Sequence, residues 1–462
     1  MFTRSFLGES LGKSILKGQD FGRIWIDSRS VQSGDLFAAV PGEKFDGHDF
    51  VAAAAQAGAL GAIVSKTNFK DKESLPQDFC LIQVPDTTEA LRSIAKAHRQ
   101  RLKCQIFAVA GSNGKTTTKE WVAYLLGLLH GPDQVFKTLK SNNSILGIAL
   151  TLLQVRSQPY AVIEIGIDEP GWMEKHLEIV QPDAGLITTI EEEHLENLKN
   201  IETVAEEELK LLRFLKLKSG KFAANMDSPW ISSQSSPSHT LTYSLDGNSD
   251  IEGKYVPPRS LLAFGLTFLN PLAGKHNAQN LLAALAAVRL LHPSLNQASL
   301  KQLAEQTTKF VGEAHRSLWL EFGRDVRVFD DCYNANPSSM EKALETFVEV
   351  SRGCKQKLVL GDMRDLGEAR TKAHARILNL AMVSEFDEIF LWGEEFSKAW
   401  QAASKLPLPS DKLKVSAFTD FESLKKAVRS SIRPADCYFV KGSRSMGLER
   451  ILPLFEEVAG KK

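Results

Sequence analysis

The chain has 462 residues, 43% hydrophobic and 24% charged, so it can bury sizeable cores and is long enough for about three domains. Lysine plus arginine and aspartate plus glutamate both number 56, which removes any global electrostatic case for nucleic acid or an anionic membrane as partner. Cys80, Cys104, Cys332, Cys354 and Cys437 stand apart, with no Cys-x-x-Cys pair, which argues against structural zinc or a disulfide framework and suits a reducing compartment.

In chain order, Met1 to Ser10 lacks the apolar region of a signal peptide. Strand-like runs follow at Arg23 to Ile26, Leu36 to Val40, Gly61 to Ser65 and Cys80 to Val84, mixed with Ala-rich helical stretches. A helix over Arg92 to Arg101 ends in a basic cluster, and a first domain boundary is expected at 102/103. The region 103–312 then alternates strand and helix (104–110, 119–130, 145–155, 160–165, 172–180, 185–190, 201–217), which predicts a mainly parallel sheet covered by helices. Ser228 to Ser238 reads as a surface loop, and Asn277 to Leu291 as a long Ala/Leu helix. Its apolar part, Leu281 to Leu291, is too short to span a bilayer, and a cytoplasmic protein is expected. Thr307 to Ser317 has no clear periodicity and holds the second boundary, at 312/313. The remainder, 313–462, repeats the alternation: strand 326–330, helix 338–350 capped by Ser338, strand 357–361, helix 370–384, strand 387–392, helix 420–430, strand 437–441. The expected fold class is α/β in three domains, the last an open Rossmann-like sheet.

The most informative stretch joins the strand at Phe107 to Ala110 to Gly111-Ser112-Asn113-Gly114-Lys115-Thr116-Thr117, and then to a helix carrying Trp121, Tyr124, Leu125 and Leu128 on one face. Glycines let backbone N–H groups curl around a polyphosphate, Lys115 reaches the terminal phosphates, and the Thr116 hydroxyl can ligate Mg²⁺. The spacing Gly-x-x-Gly-Lys-Thr is tighter than the usual phosphate loop, but both flanks are present, and nucleotide binding is expected.

Glu164 ends the apolar strand Ala161-Val162-Ile163, where it either holds Mg²⁺ or is a strand-end charge meeting solvent. His194 follows another strand, behind Glu191-Glu192-Glu193; it is either a metal or substrate ligand or a surface histidine, and the three glutamates read as a solvated face. His276-Asn277-Ala278-Gln279-Asn280 opens the long helix, so Asn280 either caps or points its carboxamide at a purine edge. Asp331-Cys332-Tyr333-Asn334-Ala335-Asn336-Pro337 joins strand to helix and mixes cap chemistry with a ligand edge. Lys441-Gly442-Ser443-Arg444 either holds a carboxylate or phosphate or is a basic surface turn.

These pieces stand in the order of the Mur ligases of bacterial peptidoglycan synthesis, which the chain resembles over nearly its whole length. Asp27-Ser28-Arg29, Gly34-Asp35-Leu36-Phe37, Gly42-Glu43 and Phe45-Asp46-Gly47-His48-Asp49-Phe50 are similar to the family's UDP-sugar-binding domain. Gly111 to Thr117 matches its short phosphate loop. Tyr333-Asn334-Ala335-Asn336-Pro337 and Leu360-Gly361-Asp362-Met363 resemble the branch that adds a D-alanyl-D-alanine dipeptide, and the Asp-Asn-Pro-Arg run expected of the branch adding a diamino acid is absent. The resemblance implies an ATP- and Mg²⁺-dependent ligase joining D-alanyl-D-alanine to UDP-N-acetylmuramoyl-tripeptide through an acyl phosphate, acting as a monomer. It implies that Lys115, Glu164, His194 and position 208 are catalytic, and that Thr116, Glu164, His194 and position 208 serve the metal. His276, Asn280, Arg316 and Asp331 would approach ATP. Ser28, Arg29, Asp46, Gly47 and His48 would take the UDP-sugar, and Asn334, Asn336, Lys441 and Arg444 would face the dipeptide.

The chain departs from the family at one position above all. Where relatives carry a lysine modified by CO₂ to a carbamate, this chain has Glu208, and Lys210 lies about 200° away around a helix. Glu208 is expected to supply the carboxylate directly, with no need of CO₂. Glu193 replaces the usual small residue before the histidine, Thr189 the usual asparagine, and Ile167 the usual alanine, while Asn142-Asn143-Ser144-Ile145-Leu146-Gly147 follows its pattern loosely. Two other readings compete: a related ligase with another substrate (a sister Mur or folylpolyglutamate-like enzyme), and a ligase-shaped protein that binds nucleotide or UDP-sugar without catalysis.

Overall fold

Runs of β-branched and aromatic residues become strands in three sheets of a computed structural model that describes residues 1–14, 18–42, 44–66, 69–234, 240–384, 386–405 and 412–461. Glu43 and the 235–238 part of the expected surface loop lie outside the described residues. The first sheet has β1 (Ile24–Trp25), β2 (Leu36–Ala38), β3 (Gly61–Val64) and β4 (Cys80–Gln83) in sequential order, every ladder parallel. Its core gathers Phe37, Val51, Ala54, Ala62 and Val64.

The second sheet contains β5 (Gln105–Ala110), β6 (Val135–Lys137), β7 (Tyr160–Glu164), β8 (Ala184–Ile187), β9 (Lys221–Asn225), β10 (Thr240–Ser244), β11 (Ile251–Val256), β12 (Ser260–Ala263) and β13 (Leu266–Leu269). Their order is β13-β12-β11-β10-β9-β8-β5-β7-β6. Strands β11 to β13 pair antiparallel, a meander absent from the expected alternation. It closes through Phe264 and Gly265, both at positive φ, and β11 alternates buried with exposed residues as a half-covered strand does.

The third sheet holds β14 (Leu318–Glu321), β15 (Arg327–Asp330), β16 (Lys355–Gly361), β17 (Glu388–Trp392), β18 (Lys414–Phe418) and β19 (Asp436–Lys441), ordered β14-β15-β19-β16-β17-β18. All its ladders are parallel except the edge pair β14–β15. Helices that the sequence pattern left out cover Gln297–Gln306, Glu394–Ala403 and Leu452–Ala459.

The chain forms two compact units. One comprises Met1–Ala108, His130–Gly166 and Trp172–Ala184, the other Val109–Leu129, Ile167–Gly171 and Gly185–Lys462. In the first, the helix Thr87–Arg101 is capped by Asp86, and Arg99 Nε donates to Val180 O at 2.9 Å while Lys96 pairs with Glu178 at 2.6 Å. The second contains the phosphate-loop candidate and the whole third sheet. Two helix starts differ from expectation. The helix after the loop runs Lys115–His130, so Lys115 and Thr116 already belong to its first turn. The helix expected from Ser338 runs Pro337–Val350 and is capped by Asn336 in a capping box with Ser339, which frees Ser338 for other work. Ser228–Pro229 likewise opens a short helix, Pro229–Ser232, where a loop was expected. No helix of the described residues is long and apolar enough to cross a membrane.

The third sheet's core centres on Phe347, fully buried and 5.5 Å from the Phe439 ring, 6.1 Å from Phe386 and 6.4 Å from Phe329. Removing it leaves a cavity among aromatic rings that cannot collapse. Phe347→Ala is expected to lower stability by about 3–5 kcal/mol, read from the shift in urea unfolding midpoint at unchanged slope.

Candidate active site

Strand β5 ends at Ala110, and the chain turns through Gly111 at φ +115° and Gly114 at φ +83°. Both turns require glycine. A Cβ on Gly111 would lie 2.3 Å from Thr188 Oγ1, and one on Gly114 would lie 2.3 Å from Asn280 Oδ1. The stretch after β8 pins the loop. Thr188 Oγ1 donates to Asn113 O at 2.6 Å, Ser112 N donates to Thr189 O at 2.8 Å, and Ser112 Oγ both donates to Glu191 O and accepts from Glu191 N at 2.9 Å. The result is a backbone concavity opening on a helix N-terminus, a ready anion seat.

Lys115 points back over this loop. Its Nζ lies 3.2 Å from Ser112 O and 3.1 Å from Glu193 Oε2. Glu193 is only 4% exposed, so the three glutamates are not the solvated face the sequence suggested. They follow a strand's carboxyl end, and the loop's cationic lysine draws the last of them inward. Glu208 comes from the helix Ile201–Leu217, whose Val204, Ala205, Leu211, Leu212 and Leu215 share its buried side. It is fully buried, and burial pushes its carboxyl up to about 8, with Glu193 and Glu207 adding and Lys115 opposing. Burial also raises Glu193, against the pull of Lys115. Lys210 turns away to an ion pair with Glu207, which itself accepts from Gly171 N at 2.9 Å. His194, at φ +47°, places Nε2 3.2 Å from Asp168 Oδ1 and 3.9 Å from Glu193 Oε2.

The Gly111 amide lies close enough to Glu208 to oppose its upward shift, yet no well-formed hydrogen bond reaches either Glu208 oxygen or Oε1 of Glu193. Buried carboxylate oxygens left this way are rare in native folds and suit a hard, oxygen-seeking cation. An imidazole and the Thr116 hydroxyl lie in the same unit, and donors of these types suit Mg²⁺, although Glu193, His194 and Glu208 do not close to metal-ligand spacing among the described residues. Glu164, in the other unit, is buried at the end of β7; its N–H donates to Thr138 Oγ1 at 3.0 Å, and its Oε1 accepts from Asn143 Nδ2 at 2.8 Å.

The start of the helix Pro337–Val350 meets the loop through Asn336, expected on the dipeptide side, and through Ser338 and Lys342, which the sequence did not assign to a site. Ser338, released from capping, donates to Glu191 Oε2 at 2.7 Å. Asn113 Nδ2 donates to Glu191 Oε2 at 2.7 Å and to Ser338 Oγ at 2.8 Å, and Asn336 Nδ2 donates to Asn113 Oδ1 at 3.0 Å. Lys342 completes the cluster with an ion pair to Glu191. Burial would raise the Glu191 carboxyl, but Lys342, Ser338 and Asn113 together hold it below its usual value. The signal for these residues was the polar density of Asn-Pro-Ser-Ser itself, which cap chemistry does not exhaust.

Beside this cluster lies a pocket of about 640 Å³ lined by Trp230, Tyr255, Asn225, His276, Glu191 and Lys342, among others. His276 lines it as an acceptor-capable neutral ring, since burial pushes it down to about 4. Asn280 is not among its walls. It packs against Gly114, accepts weakly from Thr118 Oγ1 at 3.4 Å and donates to Asn277 Oδ1 at 3.3 Å.

On the third sheet, Lys441 is buried and engaged: it pairs with Asp331 and donates to Asn334 O at 2.9 Å. Asp331 Oδ1 also accepts from Ser317 N at 2.8 Å. Arg316 lies 3.9 Å and Arg444 5.6 Å from the Tyr333 ring centre, and Arg444 also pairs with Glu449. In the first unit, Asp27 caps the turn Ser28–Ser30 and pairs with the exposed Arg29 at 2.8 Å. Asp46 caps the turn Gly47–Phe50, and Lys66 holds it well below the usual carboxylate range. His48 Nδ1 lies 2.6 Å from Asp46 Oδ1, and its Nε2 accepts from Ser65 N at 3.0 Å. A Cβ on Gly47 would strike Val40 N at 2.6 Å.

Three family models match the chain: the Mur ligase family catalytic domain over residues 21–99, the Mur ligase middle domain over 109–288, and the Mur ligase glutamate ligase domain over 315–444. The UDP-N-acetylmuramoyl-tripeptide–D-alanyl-D-alanine ligase of Bacillus subtilis is 30% identical over 433 residues, covering 92% of this chain and 91% of that protein. Among solved structures, MurF from Acinetobacter baumannii superposes with a TM-score of 0.84 at 25% identity over 99% of both chains. MurF from Thermotoga maritima in complex with ADP shares the fold, with a TM-score of 0.76 at 23% identity over 95% of this chain and 97% of that one.

Gly114→Ala places a methyl against Asn280 at a φ that disfavours any side chain. It is expected to weaken ATP binding by about tenfold or more while leaving the melting temperature within a few degrees, measured by calorimetric titration and thermal unfolding.

Proposed function

The chain belongs to the Mur ligase family, and we propose that it joins D-alanyl-D-alanine to UDP-N-acetylmuramoyl-tripeptide, cleaving ATP to ADP and phosphate in peptidoglycan precursor synthesis. The observation that carries the chemistry is the loop Gly111–Thr117 with Lys115 set beside Glu193, Glu208 and His194. It supplies an anion seat and a cation seat in one place, as phosphoryl transfer requires. The full-length likeness to D-alanyl-D-alanine-adding ligases supports the substrates.

A peptide carboxylate is a poor electrophile. Its oxygen attacks the γ-phosphorus of ATP, the bond to ADP breaks, and an acyl phosphate forms. The dipeptide amine then attacks the acyl carbon, phosphate leaves, and the amine gives up a proton. Gly111, Ser112, Asn113, Gly114, Thr116 and Thr117 orient the polyphosphate, and Lys115 spreads the γ-phosphate charge. Thr116, His194 and Glu208 would hold Mg²⁺; the ion would neutralise charge on the phosphates. His276, in the wall of the aromatic-lined pocket, is assigned to the adenine. Asn280 supports that end of the site from beneath Gly114. Arg316 and Asp331 are assigned to the nucleotide. Ser28, Arg29, Asp46, Gly47 and His48 are assigned to the UDP-sugar, and Asn334, Asn336, Lys441 and Arg444 to the dipeptide side. In this reading Lys441 acts chiefly by fixing Asp331 and the Asn334 carbonyl.

Domains at 1–102, 103–312 and 313–462 remain our division by function; the three family models each fall inside one of them. Action as a monomer in the cytoplasm completes the reading; the five free cysteines support the reducing compartment.

Phosphate release from ATP is expected only when both substrates are present, with a product whose mass is that of the UDP-N-acetylmuramoyl-pentapeptide. Release without the dipeptide, or with single amino acids equally well, would rule the assignment out. Glu208→Ala is expected to lower kcat by about 10²-fold and raise the Mg²⁺ requirement, and wild-type activity is expected to be indifferent to removal of CO₂, measured in degassed buffer.

A further inference from the structure

Glu193 is the residue in this site that needs an explanation of its own. A buried carboxylate is costly unless paired, and Glu193 is buried near a second carboxyl group, that of Glu208, with the Lys115 ammonium in contact with Glu193. Lys115 Nζ meets Glu193 Oε2 at 3.1 Å, while no well-formed hydrogen bond reaches Glu193 Oε1 or either oxygen of Glu208. His194 Nε2 stands 3.9 Å from the same Glu193 oxygen that holds the lysine. Bound polyphosphate must engage Lys115 to use its charge. Once it does, Glu193 keeps its burial and loses its ammonium counter-charge, next to the two oxygens of Glu208.

We propose that Glu193 is an exchange residue: it holds the Lys115 ammonium while the loop is empty, and it turns to the divalent cation alongside Glu208 and His194 when nucleotide phosphates take Lys115. Two carboxylates from this chain, one on the strand-end loop and one on the helix Ile201–Leu217, then share the cation seat. Loading of nucleotide and of cation become coupled, because each removes the reason for the other to stay away. The shorter reach of a glutamate at position 208 is offset by a second carboxylate approaching from position 193. Glu193 is a positioning residue in this scheme, acting through Lys115 and through the cation. The inference rests on the ligase reading above.

The test uses the full chain, a non-hydrolysable ATP analogue, and Mn²⁺ as a paramagnetic stand-in for Mg²⁺. Analogue affinity is measured by titration in EDTA, and Mn²⁺ affinity in the presence of saturating analogue by electron paramagnetic resonance. Glu193→Gln keeps volume and removes charge. It is expected to bind the metal-free analogue about fivefold more tightly, because no ion pair has to open, and to bind Mn²⁺ about tenfold more weakly. Glu193→Asp is expected to recover part of the Mn²⁺ affinity. Affinities that stay unchanged, or fall together as a damaged loop would make them, overturn the proposal. Should Glu193→Gln not fold, Lys115→Met carries the same question: it is expected to bind Mn²⁺ without nucleotide more tightly than wild type, and equal or weaker binding overturns the proposal. A wild-type chain that binds no analogue at all overturns the ligase reading and this inference with it, whereas normal wild-type binding with an indifferent Glu193→Gln overturns the inference alone.

Discussion

A largely covered ammonium group at the start of a helix has to find its counter-charges inside the fold, and the arrangement around Lys115 follows from that need. The glycine turns bring the backbone close enough for Lys115 to fold back over Ser112 O, and the segment after β8 supplies Glu193 at 3.1 Å. Packing of the helix Ile201–Leu217 then places Glu208 in the same buried space. In a low-dielectric setting these charges interact far more strongly than they would in water, so each position constrains the others.

The same logic runs outward to the third sheet. Glu191 takes Lys342, Ser338 and Asn113 together, and Asp331 takes Lys441 and the Ser317 amide. Residues that the sequence suggested as ligand contacts thus serve partly as struts for other candidate contacts. Loss of Lys441 would leave the largely covered Asp331 without its counter-charge, so its functional and structural effects are bound together.

Local features were the most legible in the sequence. The phosphate loop was readable because its chemistry lies in consecutive residues between a strand and a helix, and the α/β alternation because hydrophobic period changes along the chain. What long-range contact decides was not readable. Glu193 is buried only because Lys115 reaches it, and no window around Glu191-Glu192-Glu193 contains that lysine. Asn336 displaced Ser338 as the helix cap because Pro337 fits the first helical position, a local rule that the reading applied one residue too late. The antiparallel meander Ile251–Leu269 was hidden by short strands whose exposed faces dilute the apolar signal. Asn280 left two options open, and the lack of space at Gly114 places it under the loop.

Asn336 carries two loads at once. It caps the helix Pro337–Val350, and its Nδ2 holds Asn113 in the phosphate loop. Helix ends fray on a fast timescale, and each opening of that first turn would cost Asn113 its Asn336 contact while Glu191 and Thr188 still hold it. Order in the loop is therefore tied to the melting of a helix terminus, and the amide of Ser339, which bonds to Asn336 Oδ1 at 2.8 Å, becomes a natural reporter of both in hydrogen exchange.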